Sequence, residues 1–422
     1  MGTRRVIGVT ERVPIGKGIP LSIQHTFAMF SASVLVPFIL GISPAIALLM
    51  NGIGTLLFIL ITKGKAPAYL GSSFAFISPA LLVINDPHLG YQYALGGFVI
   101  TGIIFMSVAV LVKFVGVKWI DVVLPPAAMG PVVALIGLEL AGNAAQNGGI
   151  VLTDTYTHIN PKFVIVFLIT LLMAVFGQVL LRGFASAIAI LISIIVGYVA
   201  ALAMGIVDFT SLNSETWFAM PNFLLPKFNL QAVLIIIPAS LTVISEHIGH
   251  QVVTGKIVGR DLLKDPGLHR SLLGDNLSTM ISGLIGSVPT TTYGENIGVM
   301  AVTRVYSVRV IAGAAVLSII CSFIGKLSML ISSIPGPVIG GISFLLYGMI
   351  GTSGLRILVD SQVDYGKSRN LALTSVIFVT GLSGIAVNIG NIQLTGMVLA
   401  CVTGMILSLI FYILDRLHLT ND

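Results

Sequence analysis

The sequence predicts an all-α polytopic membrane protein of about 14 transmembrane helices in two inverted 7-helix repeats, with spans 3 and 10 broken by short β-strands. Three observations carry this. The 422 residues are 56% hydrophobic and 9% charged. Apolar runs recur along the whole chain, and a pair of motifs returns in the same order in its second half.

A soluble domain is roughly 45–50% apolar and about 25% charged, so this much apolar surface has to face a bilayer. The formal charge of +6 comes from basic residues scattered through short loops. They form no stripe with interleaved aromatics, which excludes a nucleic-acid partner. Cys321 and Cys401 both lie in apolar runs, so neither a disulfide framework nor a cysteine metal site is expected. No cofactor is expected either.

A span needs about 20 mostly apolar residues. Runs begin near Ser22, Pro44, Gly71, Ala94, Pro125, Phe163, Gly183, Gln231, Ser271, Pro289, Val308, Pro335, Asn370 and Gln393. Residues 1–21, with Arg4, Arg5, Arg12 and Lys17, lack the apolar core and cleavage site of a signal peptide. They read as a cytoplasmic lead-in at the membrane surface. With the N-terminus inside, 19 Lys and Arg fall on the cytoplasmic side and 3 (Lys162, Lys227, Lys326) outside, which places both termini in the cytoplasm.

Pro125 to Gly130 in LPPAAMG returns as Pro335 to Gly340 in IPGPVIG, and Ser73-Phe74-Ala75 stands where Thr292-Tyr293-Gly294 stands in the second half. Each half then holds about seven spans with the broken one third, and an odd number per half turns the second copy upside down. That is the plan of secondary transporters whose substrate site lies near the midplane. The boundaries are 22–204 for the first repeat, 205–229 for an extracellular connection and 230–416 for the second repeat.

Of the 16 acids most sit in loops or at span ends. Glu246 and Glu295 are the deep exceptions, and a charge at a span centre, costing about 2.5–3.5 kcal/mol, marks a pathway or cavity. Glu139 and Asp275 fall near span ends, where a carboxylate reaches water or a helix terminus. In Ser245-Glu246-His247-Ile248-Gly249-His250, Glu246 and His250 are four apart and share a helical face, while His247 points about 100° away. A buried Glu and His so placed can share a proton or merely tie two helices together.

The run Pro289-Thr290-Thr291-Thr292-Tyr293-Gly294-Glu295-Asn296 reads as an extended piece followed by a helix start. Its backbone needs partners at membrane depth, and the matching Gly71-Ser72-Ser73-Phe74 can supply them as a second strand. Two helix N-termini then aim at one point, a place for ligand carbonyl oxygens. Phe74 and Tyr293 would flank it, either facing a planar heterocycle or as ordinary packing.

At these residues the chain resembles the nucleobase–ascorbate transporter (nucleobase:cation symporter-2) family, in particular its bacterial uracil-carrying branch. Glu295-Asn296-Ile297-Gly298 through Thr303-Arg304 fits the family's long signature. Gln24-His25 fits a second and SEHIGH at 245–250 a third, and similarity extends through DPGLHRS near 265 and VDYGKSRNL near 363. Glu295 at the first signature position is similar to the uracil branch, while Thr290 departs from its usual Asn.

The resemblance implies a core domain of spans 1–4 and 8–11, a gate domain of spans 5–7 and 12–14, and a homodimer. It implies proton-coupled uracil symport across the cytoplasmic membrane. Glu246, Glu295, Phe74 and Gly294 would contact the base, with Ser73, Ala32, Tyr293 and Tyr347 lining the site; Glu246 and His250 would couple protons. Uracil's two N–H donors and two carbonyls suit carboxylate oxygens and backbone amides. The rivals are a xanthine or other nucleobase symporter of the same fold, an intramembrane enzyme and a channel. No HExxH or nucleophile motif supports the enzyme, and no filter-like loop or charge ring the channel.

Overall fold

Hydrocarbon offers nothing to hydrogen-bond a backbone, so apolar segments close their bonds internally as helices. The computed structural model, which describes residues 6–116, 118–152, 157–208, 216–389 and 392–420, is mostly helical. Its first half runs α1 (Ile15–Ile39), α2 (Pro44–Ile61), β1 (Leu70–Ser72), a 3-10 turn (Phe74–Phe76) leading into α3 (Ile77–Ile84), and α4 (Tyr91–Val115). It continues through α5 (Lys118–Val123), α6 (Pro126–Asn147), α7 (Pro161–Leu180), α8 (Phe184–Ala187) and α9 (Ala189–Ala203). The second half runs α10 (Leu230–Val258), α11 (Leu268–Ile285), β2 (Thr290–Thr292), α12 (Gly294–Thr303), α13 (Val308–Ser322) and α14 (Gly325–Ser332). It ends with α15 (Gly336–Asp360), α16 (Ser368–Leu382), the hairpin β3 (Ala386–Ile389) and β4 (Ile392–Thr395), and α17 (Gly396–Arg416).

Among the described residues eight helices (α1, α2, α4, α6, α7, α10, α15 and α17) are long and apolar enough to cross a membrane. The outward faces carry Phe114, Phe176, Val179 and Leu180, exposed as lipid-facing side chains are. Several starts are fixed by one device, a side-chain oxygen taking an orphan amide of the first turn. Ser43 accepts from Ala45 N–H, Asn160 from Lys162 and Asn229 from Gln231. In the first two a proline follows at the first helical position, where its missing N–H costs nothing.

Helices pack through small residues, which let backbones approach closely where no hydrophobic force drives association. A Cβ on Gly137 of α6 would strike the Tyr347 carbonyl of α15, and one on Gly354 of α15 would strike the Ala134 backbone. Gly340 at the start of α15 meets Gly148 beyond the end of α6, so the two helices run antiparallel. Gly283 of α11 also comes close to α4, where a Cβ would lie 2.7 Å from the Leu95 carbonyl.

The first helix departs from the sequence expectation. It begins at Ile15, not near Ser22: Pro14 in extended backbone sets its entry, and the helix continues through Pro20. The preceding residues are pinned too: Ile7 N–H donates to the Arg304 carbonyl at 3.0 Å and Tyr306 N–H to that of Ile7 at 2.9 Å. Ser307 Oγ donates to the Glu11 carbonyl at 2.8 Å. Arg4 and Arg5 lie outside the described residues, as do Asp154, Glu215 and Asp422.

β1 and β2 pair antiparallel deep in this assembly, Leu70 opposite Thr292, Gly71 opposite Thr291 and Ser72 opposite Thr290. Ser73 N–H to the Pro289 carbonyl (2.8 Å) and Tyr293 N–H to that of Tyr69 (3.0 Å) extend the ladder at both ends. α1 and α2 lie against β1, and α10 and α11 against β2. The non-helical backbone is thereby satisfied from both sides.

Candidate functional site

Where the strands cross, one side chain fits only because another is missing. The Tyr293 ring lies on Gly71, whose Cβ would collide with it, and the Tyr293 hydroxyl donates to the Ser72 carbonyl at 3.0 Å. On the α11 side Thr290 Oγ1 donates to Ser278 Oγ at 2.6 Å, and Thr279 Oγ1 donates to the Thr290 carbonyl at 3.0 Å. The departure from the usual Asn at 290 is therefore absorbed in the contact with α11.

Each strand runs straight into a helix, so first-turn amides without partners collect on both sides of the crossing. Ser73 and Phe74 stand at one start, and Tyr293, Gly294 and Glu295 at the other. Facing them, near the middle of α10, are Glu246, Gly249 and His250. Although these positions lie deep in the sequence of their spans, Gly249, Gly294 and Gly298 are exposed and Phe74, Glu246, His250 and Glu295 only half-buried. A Cβ built on Gly249 or Gly298 meets nothing within 4 Å, and one on Gly294 first meets His250 Nε2 at 3.3 Å. The crossing thus borders an opening, and the Glu246 and Glu295 carboxylates are close enough for their charges to interact.

The structure revises two sequence expectations. Asp275 does not lie near a span end: it is mid-way along α11 and buried, its Oδ2 3.5 Å from His247 Nδ1 with the side chains 2% and 0% exposed. The misplacement came from starting that span at Ser271, whereas the helix starts at Leu268. The second concerns the two histidines, which meet one hydroxyl: His250 Nδ1 lies 3.1 Å from Thr292 Oγ1, which also lies 3.4 Å from His247 Nδ1. His247, expected to point away, meets the second half through that same hydroxyl. Glu139 behaves as expected, accepting from Met397 N–H at 3.1 Å at the start of α17.

The remaining expected residues are close by or behind. Ser73 and Tyr347 are buried, and among the described residues Ser73 Oγ has no hydrogen-bond partner. Ala32 belongs to α1, but its side chain lies outside the described residues. Two signature motifs distant in sequence meet as His25 Nδ1 and Asn296 Oδ1, 3.1 Å apart and buried.

Sequence reasoning missed Asp275, His247 and Thr292 as a connected group. A signal was present: Ser271, Asp275, Ser278, Thr279 and Ser282 form a buried polar stripe at helical spacing along α11. Away from the crossing, a cavity of about 450 Å³ opens at the C-terminal end of α10, lined by Gln251, Lys256, Arg260 and Leu262 among others. It does not include the crossing.

Comparison with known proteins adds three results. The permease family matches residues 16–390. The uracil permease of Escherichia coli K12 is 56% identical over 416 residues, covering 99% of this chain and 96% of that protein. That of Paenibacillus larvae is 54% identical over 421 residues, covering 99% of both. Among solved structures, the transmembrane domain of the cyanobacterial bicarbonate transporter BicA has TM-score 0.63 at 14% identity, covering 96% of this chain and 98% of that one. Murine Slc26a9, an anion transporter in the inward-facing state, has TM-score 0.72 at 11% identity, covering 95% of this chain and 69% of that one. At such identities these structures are similar in fold alone.

Proposed function

The chain belongs to the permease family, and on that premise we propose that it carries uracil across the cytoplasmic membrane by alternating access, coupled to protons. The relatives that match nearly full length are named uracil permeases, which makes transport and not catalysis the activity. The observation that carries the reading is the opening bordered by Phe74, Glu246, Gly294 and Glu295. A planar ring with two N–H donors and two carbonyls finds there two carboxylates to accept and two helix starts to donate.

In this reading Glu246 and Glu295 accept from the base, Phe74 stacks on it, and Gly294 brings a backbone amide close because it has no side chain to intervene. Ser73, Tyr293, Tyr347 and Ala32 form the surrounding wall, and Glu246 with His250 handles the proton. A lost partner leaves a buried donor or acceptor unpaired at about 1–3 kcal/mol, enough to reject close analogues. Xanthine and other bases are the competing substrates.

The architecture proposed with it is 14 spans in two inverted sevens, a core of spans 1–4 and 8–11 and a gate of spans 5–7 and 12–14. Two contacts support it. The repeat-related helices α6 and α15 pack antiparallel on each other, as a two-fold axis in the membrane plane requires. The aligned motif positions stand at the same place in each arm, where the paired strands β1 and β2 end and the chain turns into a helix. Both termini are cytoplasmic and the unit is a lipid-embedded homodimer. The test is radiolabelled uracil uptake into proteoliposomes with and without an inward proton gradient; uptake indifferent to the gradient removes proton coupling, and no uptake removes uracil.

A further inference from the structure

Thr292 Oγ1 stands between two imidazoles, 3.1 Å from His250 Nδ1 and 3.4 Å from His247 Nδ1. A hydroxyl has one hydrogen to give and two lone pairs to offer, and a neutral imidazole is protonated on only one of its nitrogens. If both contacts are hydrogen bonds, Thr292 donates to one Nδ1 and accepts from the other. The two histidines are then held in opposite tautomers.

His247 Nδ1 also lies 3.5 Å from Asp275 Oδ2. An ionised carboxylate only accepts, so it keeps the proton on His247 Nδ1, and Thr292 turns its hydrogen to His250. His250 then carries its proton on Nε2, the atom nearest to Gly294 and the opening. A protonated Asp275 can donate to His247 Nδ1 instead, which releases Thr292 and frees His250 to offer a bare Nε2. We propose that Thr292 is a positioning residue that couples the proton on Asp275 to the donor or acceptor character of His250 Nε2 at the site. This rests on the crossing being the substrate and proton site, and it supplies the link between base and proton that a direct Glu246–His250 contact does not make.

The other titratable groups around this chain of contacts are few. Glu246 on α10 is within charge range of Asp275, and Glu295 on α12 within range of Glu246. From α1, His25 is engaged with Asn296. From α2, the Phe58 ring meets His247 edge-on, with centroids 6.1 Å apart, and brings no charge.

The experiment uses full-length protein labelled with ¹⁵N-histidine, with His247 and His250 assigned by difference from His247→Gln and His250→Gln. Opposite tautomers are expected in the wild type at neutral pH. Thr292→Val, equal in size but without the hydroxyl, should turn His250 into a mixture, and Thr292→Ser should restore the wild-type pattern. Asp275→Asn, whose amide can donate to His247 Nδ1, should shift His250 when Thr292 is present and leave it unmoved in Thr292→Val. Uracil affinity should fall about two- to ten-fold in Thr292→Val, the worth of one neutral hydrogen bond, and recover in Thr292→Ser. Identical tautomers in the wild type, or a His250 signal indifferent to Thr292→Val, overturn the coupling. If Thr292→Val does not fold, an unchanged His250 signal in Asp275→Asn overturns it equally. Failure of wild-type protein to bind uracil instead sinks the proposed function, a result the tautomer spectra do not depend on.

Discussion

The arm of the first half, Leu70 to Ile84, and that of the second, Thr290 to Thr303, meet in register at the crossing and differ in what they bring to it. The first carries Leu70, Gly71, Ser72, Ser73, Phe74, Ala75 and Phe76, with no titratable side chain. Its contributions are space, where Gly71 admits the Tyr293 ring, and an aromatic face at Phe74. The second carries Thr290 and Thr292, whose hydroxyls bind α11 and α10, then Gly294, Glu295 and Asn296. Backbone geometry is shared between the halves, while charge and most polar recognition sit on one. The strand pairing fixes where the two arms meet without fixing which of them supplies the charge.

Substitutions in the charged arm and its partner should therefore cost most. Glu246→Gln is expected to abolish gradient-driven accumulation while leaving some uracil exchange, because the carboxyl can no longer change charge as the carrier reorients. Counterflow and gradient-driven uptake on the same proteoliposomes separate the two, and a mutant that still concentrates uracil under an imposed pH gradient moves the proton site elsewhere. Glu295→Gln should weaken uracil binding by roughly 10- to 100-fold, the worth of about 1.5–3 kcal/mol for a bond to a charged group. Calorimetry showing unchanged affinity would remove Glu295 from the direct contacts.

The uncharged arm should respond in stability before affinity. Gly71→Ala puts a methyl into the Tyr293 ring, and overpacking of this kind costs about 1–3 kcal/mol. Thermal unfolding of the detergent-solubilised protein should report it, in contrast to Gly294→Ala, whose methyl meets only His250 Nε2 at 3.3 Å and should change binding with the fold intact. Equal loss of stability in the two would erase the distinction between a packing glycine and a site glycine. Phe74→Ala should lower affinity about two- to ten-fold, an aromatic contact of about 0.5–1.5 kcal/mol, and a normal binding constant would make Phe74 a packing residue.

The smallest effect is expected at Thr290→Asn. Its side chain turns to Ser278 on α11, away from the opening, so competition by unlabelled bases should rank them as in the wild type. A changed ranking would mean that position 290 acts on specificity through α11.

Much of this was legible in the residues themselves. Composition forced the bilayer, and Gly-Ser and Thr-Thr-Thr runs at membrane depth demanded paired strands, because unpaired backbone is intolerable there. Glu246 and Glu295 stood out because a carboxylate in the middle of an apolar span needs a reason. Asp275 was misjudged, since its depth depends on where α11 begins, and a shift of a few residues turns a span end into a buried centre.

Sequence alone could determine the solvent, the mostly helical fold and the two extended runs that pair as β1 and β2, for these follow from local chemistry and from costs that each segment bears by itself. Only the tertiary structure decided the partners. Helical spacing put Glu246 and His250 on one face, but β2, more than forty residues along the chain, brought Thr292 to His250 at 3.1 Å. The i,i+4 rule describes neighbours on one helix, whereas a side chain bonds to whatever the packing of another element places nearest.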